Sequence, residues 1–289
     1  MSSSRKPLFA FFGTPRFAVQ TLNALEANGL LPALIITAPD KKRGRGQVLS
    51  PSPVKAWAQE RSIDVLTPET LKDETLIAEL ANTAWDVFVV AAYAKLLPQP
   101  VLDIPARGCL NIHPSLLPKF RGPSPVLSAI LADERETGVS IMHMSEKMDA
   151  GPVVAQARIA VEPEEWPPKG SLFEDMLATE GGTLLAEVLP EWLSGTITPE
   201  TQDESKTTYT AKFTDEDARL DISNQSKARE NFLKIRAFDA GPRAYFLDSS
   251  DKRVIVTEAQ LKDGALEILQ VIPEGKKEMP YADYQRGQK

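Results

Sequence analysis

The sequence LFAFFGTPRFAVQTLNALEANG, residues 8–29, contains the pattern on which the fold prediction rests. Its first five residues form an apolar run typical of a buried strand, and a Gly-Thr-Pro tripeptide follows directly. Thr14 can cap the next helix, and Pro15 suits its first position, where a missing N–H costs nothing. The helix is expected to end near Asn28 and Gly29. A strand, a turn and a helix in this order indicate the start of an α/β domain.

The same alternation of strands and helices continues to about residue 194. The further predicted strands are 30–37, 63–66, 87–91, 109–113, 137–144 and 152–161, and the further predicted helices begin at Pro53 or cover 70–82 and 171–194. Because continuous apolar strands that alternate with helices are buried on both faces, the fold class is α/β with a doubly wound, mostly parallel sheet. No G-x-G-x-x-G motif follows the first strand, so a dinucleotide site loses its main support.

A polar stretch at 196–205 separates this region from the rest of the chain. Residues 1–204 contain 18 basic and 26 acidic side chains, whereas residues 205–289 contain 15 and 14. A helix near 223–236 and strands at 253–258 and 266–271 predict a small, mostly β module. The predicted organisation is a catalytic domain at 1–194, a linker at 195–208 and a C-terminal domain at 209–289.

Composition excludes several classes of protein. The net charge of −7 argues against wholesale coating of nucleic acid but leaves room for one basic patch. The single cysteine, Cys109, rules out an internal disulfide, and two histidines argue against a His-rich zinc site. The longest uncharged run, residues 27–39, has 13 residues, short of the roughly 20 that span a membrane. We therefore expect a cytoplasmic protein without a secretory signal.

The densest cluster of reactive side chains is NIHPSLLPKFRG, residues 111–122. Asn111 and His113 are two residues apart at the end of a predicted strand, so they project from the same face. Ligands of open parallel sheets bind outside the carboxyl ends of the strands, where this pair is expected. The alternative is a turn-forming asparagine beside a hydrogen-bonded structural histidine.

Asp149 lies in a predicted turn between two strands, where an aspartate is also common for local reasons. Beside an Asn-x-His pair it could orient the imidazole and strengthen it as a base. A neutral donor, a proton carrier and an orienting carboxylate suit acyl transfer through a tetrahedral oxyanion without a covalent intermediate. A nucleophilic enzyme is poorly supported, because no G-x-S-x-G is present and Cys109 lies in an apolar strand. His143 alternates with apolar residues and is expected to pack rather than react.

A basic stretch at 40–55 carries Lys41, Lys42, Arg43 and Arg45 beside two glycines. Such a run is either a solvated loop or, at the active edge of an α/β sheet, a set of phosphate contacts. The acidic balance of the whole chain makes this local excess more meaningful.

NIHPSLLPKFRG followed by TGVSIMHMSEKMDAGPV resembles the signature of the 10-formyltetrahydrofolate-dependent formyltransferases. The quoted segments FFGTPRFAV, GRGQVLSPSPVK, TYTAKFTDEDARLD and PEGKKEM further resemble those members that act on methionyl-tRNA, along nearly the whole chain. The resemblance implies that 10-formyltetrahydrofolate gives its formyl group to the α-amine of initiator methionyl-tRNA in translation initiation.

The resemblance also implies roles for particular residues. Asn111, His113 and Asp149 would be the catalytic set, and the backbone near 90–97 and 148–151 would enclose the pterin. The implied folate-binding residues are Ser115, Leu116, Leu117 and Pro118, and the implied tRNA-binding residues are Lys41, Lys42, Arg43 and Arg45. No metal and no membrane are implied, and we expect a monomer.

The C-terminal domain would be OB-like and suited to nucleic acid. It departs from the family pattern, because only Lys262, Asp263 and Gly264 stand where additional strands are usual, so the barrel is expected to be abbreviated. Two alternatives stay open: a formyltransferase for glycinamide ribonucleotide or an amino sugar, and a non-catalytic RNA-binding protein of the same fold.

Overall fold

The computed structural model describes residues 5–43 and 46–287. The strands are β1 (Phe9–Gly13), β2 (Leu34–Ile36), β3 (Lys41–Arg43), β4 (Val48–Ser50), β5 (Asp64–Leu66), β6 (Val87–Ala91), β7 (Cys109–His113), β8 (Thr137–His143), β9 (Val153–Ile159), β10 (Tyr245–Leu247), β11 (Arg253–Lys262), β12 (Ala265–Pro273) and β13 (Met279–Pro280). The helices are α1 (Arg16–Ala27), α2 (Pro53–Glu60), α3 (Glu74–Ala81), α4 (Gln99–Leu102), α5 (Pro125–Leu131), α6 (Gly170–Ser194), α7 (Ala228–Ala237) and α8 (Tyr281–Arg286). Short 3₁₀ turns occupy Glu204–Lys206, Glu216–Ala218 and Gln225–Lys227.

The chain divides into two compact units. The first comprises the described parts of Met1–Gly122, with Gly138–Ile159 and Glu174–Tyr209. The second comprises Pro123–Thr137, Ala160–Phe173 and the described part of Thr210–Lys289. The predicted domain boundaries at 194 and 208 stay a prediction.

The first unit is built on a seven-stranded sheet with the order β5-β2-β1-β6-β7-β8-β9. The pairs from β5 through β7 are parallel, and β8 runs antiparallel to β7. The two central strands, β1 and β6, are buried at every position, as their continuous apolar sequences require. The ring centroids of Phe12 on β1 and Phe88 on β6 are 5.2 Å apart. The prediction of a mostly parallel, doubly wound sheet is confirmed.

The start of α1 differs from the prediction. Pro15 is the N-cap rather than the first helical residue, and its extended backbone makes no side-chain cap. Thr14 does not cap the helix, because its hydroxyl oxygen accepts from the Ala38 amide at 3.4 Å and the Thr37 hydroxyl at 3.5 Å. This places the threonine between the first two βα connections. The predicted end at Asn28 is confirmed.

The basic stretch is not only a loop. Strands β3 and β4 pair antiparallel, with Lys41 opposite Ser50 and Lys42 opposite Leu49. Lys41 and Lys42 are exposed, as are Val48 and Leu49 at 65% and 64%. This hairpin is not predicted by the sequence pattern because its two strands have only three residues each.

The second unit contains the antiparallel sheet β10-β11-β12-β13, on which α7 packs. Asp263 and Gly264 alone connect β11 to β12, with φ of 52° and 79°, the left-handed pair that a two-residue hairpin turn requires. The prediction of a small, abbreviated β module is confirmed. Helix α8 was not predicted; its Tyr284 ring lies 6.2 Å from that of Phe246.

Candidate active site

The Asn-x-His pair lies at the carboxyl end of β7, where the sheet changes from parallel to antiparallel pairing. Asn111 is opposite Val90 of β6 on one side and Met142 of β8 on the other. His113 is 4% exposed and lies opposite Ser140. Alternation along β7 puts both side chains on one face of the sheet. The predicted placement of the pair at this strand end is what the structure shows.

The imidazole of His113 makes one hydrogen bond to a carbonyl and faces one carboxylate. Its Nε2 lies 3.0 Å from the carbonyl oxygen of Phe120, and since a carbonyl only accepts, Nε2 carries the hydrogen in this contact. Its Nδ1 lies 3.8 Å from Oδ2 of Asp149. The carboxylate therefore faces Nδ1 as a charge at a distance beyond that of a hydrogen bond. The structure brings His113 and Asp149 together across 36 residues of sequence.

The turn that carries Asp149 is fixed by the backbone around it. Asp149 has a φ of 50°, an uncommon conformation for a residue with a side chain. Its Oδ2 accepts from the Gly122 amide at 2.8 Å. Gly151 is buried, and a Cβ there would lie 1.8 Å from the carbonyl oxygen of His143, so only glycine fits. The turn can hold Asp149 in one place because its carboxylate is bound by Gly122 and the chain after it packs closely at Gly151.

The side chain of Asn111 is the least engaged member of the set. It is partly exposed, and within the described residues its carboxamide makes no hydrogen bond. A side-chain amide has two N–H donors, so Asn111 presents unused donors beside His113. This is the arrangement that a developing oxyanion needs.

The turn after β7 is rigid and largely internal. The Ser115 hydroxyl is buried and donates to the Lys119 carbonyl at 2.7 Å. The Ser140 hydroxyl accepts from the Leu117 amide at 3.0 Å and donates to the Ser115 carbonyl at 2.6 Å. Leu117 is 5% exposed, whereas Leu116 and Pro118 are partly exposed. Folate contact by these four residues stays a prediction.

Two other residues considered in the sequence analysis, Cys109 and His143, pack against other parts of the protein. The Cys109 thiol is buried, which raises its pKa to about 12 and disfavours the thiolate that a nucleophile needs. His143 is half-buried with its ring 5.4 Å from that of Trp192, and burial lowers the pKa of this histidine. Both observations fit packing rather than reaction.

Several residues of the site were not predicted. They are Phe120, Arg121, Gly122 and Gln202. The contributions of Phe120 and Gly122 are backbone groups, which leave no signature in side-chain chemistry. Arg121 could have been noticed as a charge within a proline-rich, apolar stretch. Gln202 could not, because the surrounding sequence has the composition of a linker.

The predicted tRNA contacts are only partly described. Lys41 and Lys42 lie exposed on strand β3, and the backbone of Arg43 completes that strand. Arg45 lies outside the described residues. No helix in residues 5–43 and 46–287 is long and apolar enough to cross a membrane. The same residues contain no group of three or more His, Cys, Asp or Glu side chains that could hold a metal ion.

Comparison with known proteins identifies the family to which this chain belongs. A family model described as formyl transferase matches residues 5–189. The chain is 42% identical over 255 residues to the methionyl-tRNA formyltransferase of Chloroflexus aurantiacus, covering 88% of this chain and 81% of that protein. It is 38% identical to the methionyl-tRNA formyltransferase of Roseiflexus castenholzii, covering 96% and 95%.

Solved structures show the same fold at low sequence identity. A methionyl-tRNA formyltransferase from Clostridium thermocellum matches with a TM-score of 0.58 and 14% identity, covering 92% of this chain and 98% of that one. A sugar N-formyltransferase from a Shewanella species matches with a TM-score of 0.65 and 17% identity, covering 88% and 98%.

The doubly wound sheet followed by a small antiparallel sheet is thus the architecture of a formyltransferase-type α/β protein. The chain belongs to the formyl transferase family, and its relatives at 37–43% identity are named methionyl-tRNA formyltransferases. The expected family is confirmed.

Proposed function

We propose that this chain transfers the formyl group of 10-formyltetrahydrofolate to the α-amine of initiator methionyl-tRNA, in the cytoplasm and as a monomer. The single observation that carries the chemistry is the grouping of Asn111, His113 and Asp149 at the end of β7, with the Asn111 carboxamide unengaged. The names of the relatives support the acceptor, because they match along most of the chain.

Each member of the set has one task in the proposed reaction. The methionyl nitrogen adds to the formyl carbon and gives a tetrahedral oxyanion, and the C=O bond re-forms as the bond from that carbon to N10 of the folate breaks. The Asn111 carboxamide and Nδ1–H of a protonated His113 donate to the formyl oxygen while it carries negative charge, because Nε2 of His113 already donates to Phe120. Asp149 accepts a proton from the attacking amine and passes it to N10 as N10 departs, so the protons balance and the carboxylate is regenerated. No covalent bond to the protein is needed.

Electrostatics favour a nucleic-acid acceptor at the hairpin rather than over the whole surface. The chain has a net charge of −7, yet Lys41 and Lys42 lie exposed and adjacent on β3. Their side chains project from opposite faces of the strand, so both faces of the hairpin carry positive charge that attracts a phosphate backbone even though the protein is acidic overall. We infer that this hairpin, with Arg43 and Arg45, contacts the tRNA.

Competing acceptors provide the test of the proposal. The protein is incubated with labelled 10-formyltetrahydrofolate and, separately, methionyl-tRNA, glycinamide ribonucleotide and a nucleotide amino sugar. We expect label to move to methionyl-tRNA alone. Transfer to a small amine would overturn the assigned acceptor, and no transfer to any of them would favour a non-catalytic RNA-binding protein.

A further inference from the structure

Gln202, which follows α6 in the segment predicted as a linker, is 8% exposed and fully hydrogen-bonded. Its Nε2 donates to the carbonyl oxygens of Asp149 at 2.9 Å and Gly151 at 2.6 Å. Its Oε1 accepts from Nε and a terminal nitrogen of Arg121, at 3.0 and 2.9 Å. A side-chain amide offers two donor hydrogens and two acceptor lone pairs, so all four are used.

Arg121 connects this amide to the other side of the site. It is 2% exposed, and two of its three remaining donors reach the carboxylate of Glu204 at 2.9 and 3.2 Å. The next residue, Gly122, gives its amide to Asp149 Oδ2. Gln202 therefore binds the backbone of the turn that carries Asp149. It also binds the side chain of Arg121, and the residue after Arg121 is Gly122, whose amide donates to the Asp149 carboxylate.

The orientation of Asp149 depends on such support. With a φ of 50°, its backbone is in a region that a residue with a side chain rarely occupies unless the surroundings hold it there. Gln202 holds the carbonyls of residues 149 and 151, one at the turn residue and one two positions later. Catalytic geometry is sensitive to such support, because a displacement of about 1 Å can cost 10²-fold in rate.

We infer that Gln202 is a positioning residue for formyl transfer, which acts on the reaction only through Asp149 by holding the backbone of its turn to the buried Arg121 side chain. This inference rests on the proposed function for its kinetic readout, but its structural content does not depend on which amine is formylated.

The test replaces an amide by a carboxylate at one partner of Arg121, Gln202, and a carboxylate by an amide at the other partner, Glu204. In Gln202→Glu the side chain keeps its shape and its contact with Arg121, but it loses both donors and directs a carboxylate at two carbonyls. In the control, Glu204→Gln, the change is made at a side chain that is 70% exposed. We expect Gln202→Glu to lower kcat at least tenfold with KM for both substrates within twofold, and Glu204→Gln to keep kcat within twofold.

Coupling to Asp149 separates positioning from a general loss of structure. Because Gln202 acts through Asp149, Gln202→Glu should change kcat by less than twofold when it is added to Asp149→Ala. An equal loss in both backgrounds, or a normal kcat for the single variant, would overturn the inference.

Hydrogen exchange tests the same inference without activity. With selective ¹⁵N labelling, the Gly122 amide, bound to the Asp149 carboxylate, should exchange at least tenfold faster in Gln202→Glu. The adjacent Arg121 amide, bound to the Thr208 carbonyl at 2.9 Å, should not change. Unchanged Gly122 exchange would overturn the inference. If the wild type fails to formylate methionyl-tRNA, the proposed function is wrong, but the Gly122 exchange rate still tests whether Gln202 positions Asp149. Should Gln202→Glu not fold, Gln202→Asn, too short to span both sides, replaces it in both measurements.

Discussion

Oδ2 of Asp149 lies 3.8 Å from Nδ1 of His113 and accepts its hydrogen bond from the Gly122 amide instead, at 2.8 Å. The longer distance exceeds that of a hydrogen bond but lies within the range of a charge–charge contact. Within the described residues Oδ1 of Asp149 accepts no hydrogen bond. The carboxylate can thus face the imidazole as a charge and still have one oxygen available to a substrate proton.

Asn111→Ala should lower kcat for formyl transfer by about 10²–10³, the usual effect of losing one donor to an oxyanion. The melting temperature should hardly change, because the Asn111 carboxamide makes no hydrogen bond within the described chain. Steady-state kinetics and thermal unfolding check both parts. A well-folded Asn111→Ala protein with normal kcat would remove Asn111 from the catalytic set.

Asp149→Asn tests charge separately from geometry. The amide oxygen of asparagine can still accept from Gly122, so the turn should persist and the Gly122 amide should keep its slow exchange. Turnover should nevertheless fall at least 100-fold, because the negative charge that faces His113 and receives the amine proton is lost. Asp149→Ala is the companion variant and should lose both turnover and Gly122 protection. Near-normal kcat in Asp149→Asn would reduce Asp149 to a turn residue.

His143→Gln should leave formyl transfer within twofold of the wild type but change how stability depends on pH. Burial lowers the pKa of His143 in the folded protein below its ordinary 6.5. The unfolded chain therefore binds the proton first, so the wild type loses stability as pH falls from about 7 through 6.5 and toward the folded pKa. Above about pH 7 the imidazole is neutral in both the folded and the unfolded chain, so this loss of stability is absent.

The measurement is the free energy of unfolding in urea between pH 5 and 8 for both proteins. The difference between wild type and His143→Gln isolates His143 from the carboxylates, which titrate in both proteins. A difference that stays constant with pH would contradict the assigned burial effect.

The sheet was predictable because its central strands are short, mostly apolar runs, such as VFVVA and CLNIH. Period-two alternation placed Asn111 and His113 on one face of their strand. Asp149 was a candidate from its turn between two strands, and the family resemblance implied that this carboxylate acts with His113. Residues that act through backbone atoms or through a buried amide, such as Phe120 and Gln202, depend on tertiary contacts that a single sequence does not encode locally.

In the β3–β4 hairpin, the sequence revealed the charged residues but not the secondary structure that carries them. Lys41 and Lys42 were identified by charge alone, whereas the β pairing of their strand was missed because three-residue strands have too little periodicity to detect. Charge composition therefore indicated the surface, and only the structure showed that the charges are carried on paired strands.

Replacing Lys41 and Lys42 by alanine should raise KM for methionyl-tRNA and leave KM for 10-formyltetrahydrofolate unchanged. Each phosphate contact contributes roughly 0.7–0.9 to the log–log slope of binding against salt, so the double variant should have a slope shallower by about 1.4–1.8. The matched control replaces Lys6 and Lys72, which are also exposed and carry the same total charge. If the control changes KM and slope as much as the hairpin variant does, the effect is one of net charge. If the hairpin variant binds with an unaltered slope, Lys41 and Lys42 lie in a solvated hairpin, and the tRNA must be bound by other residues.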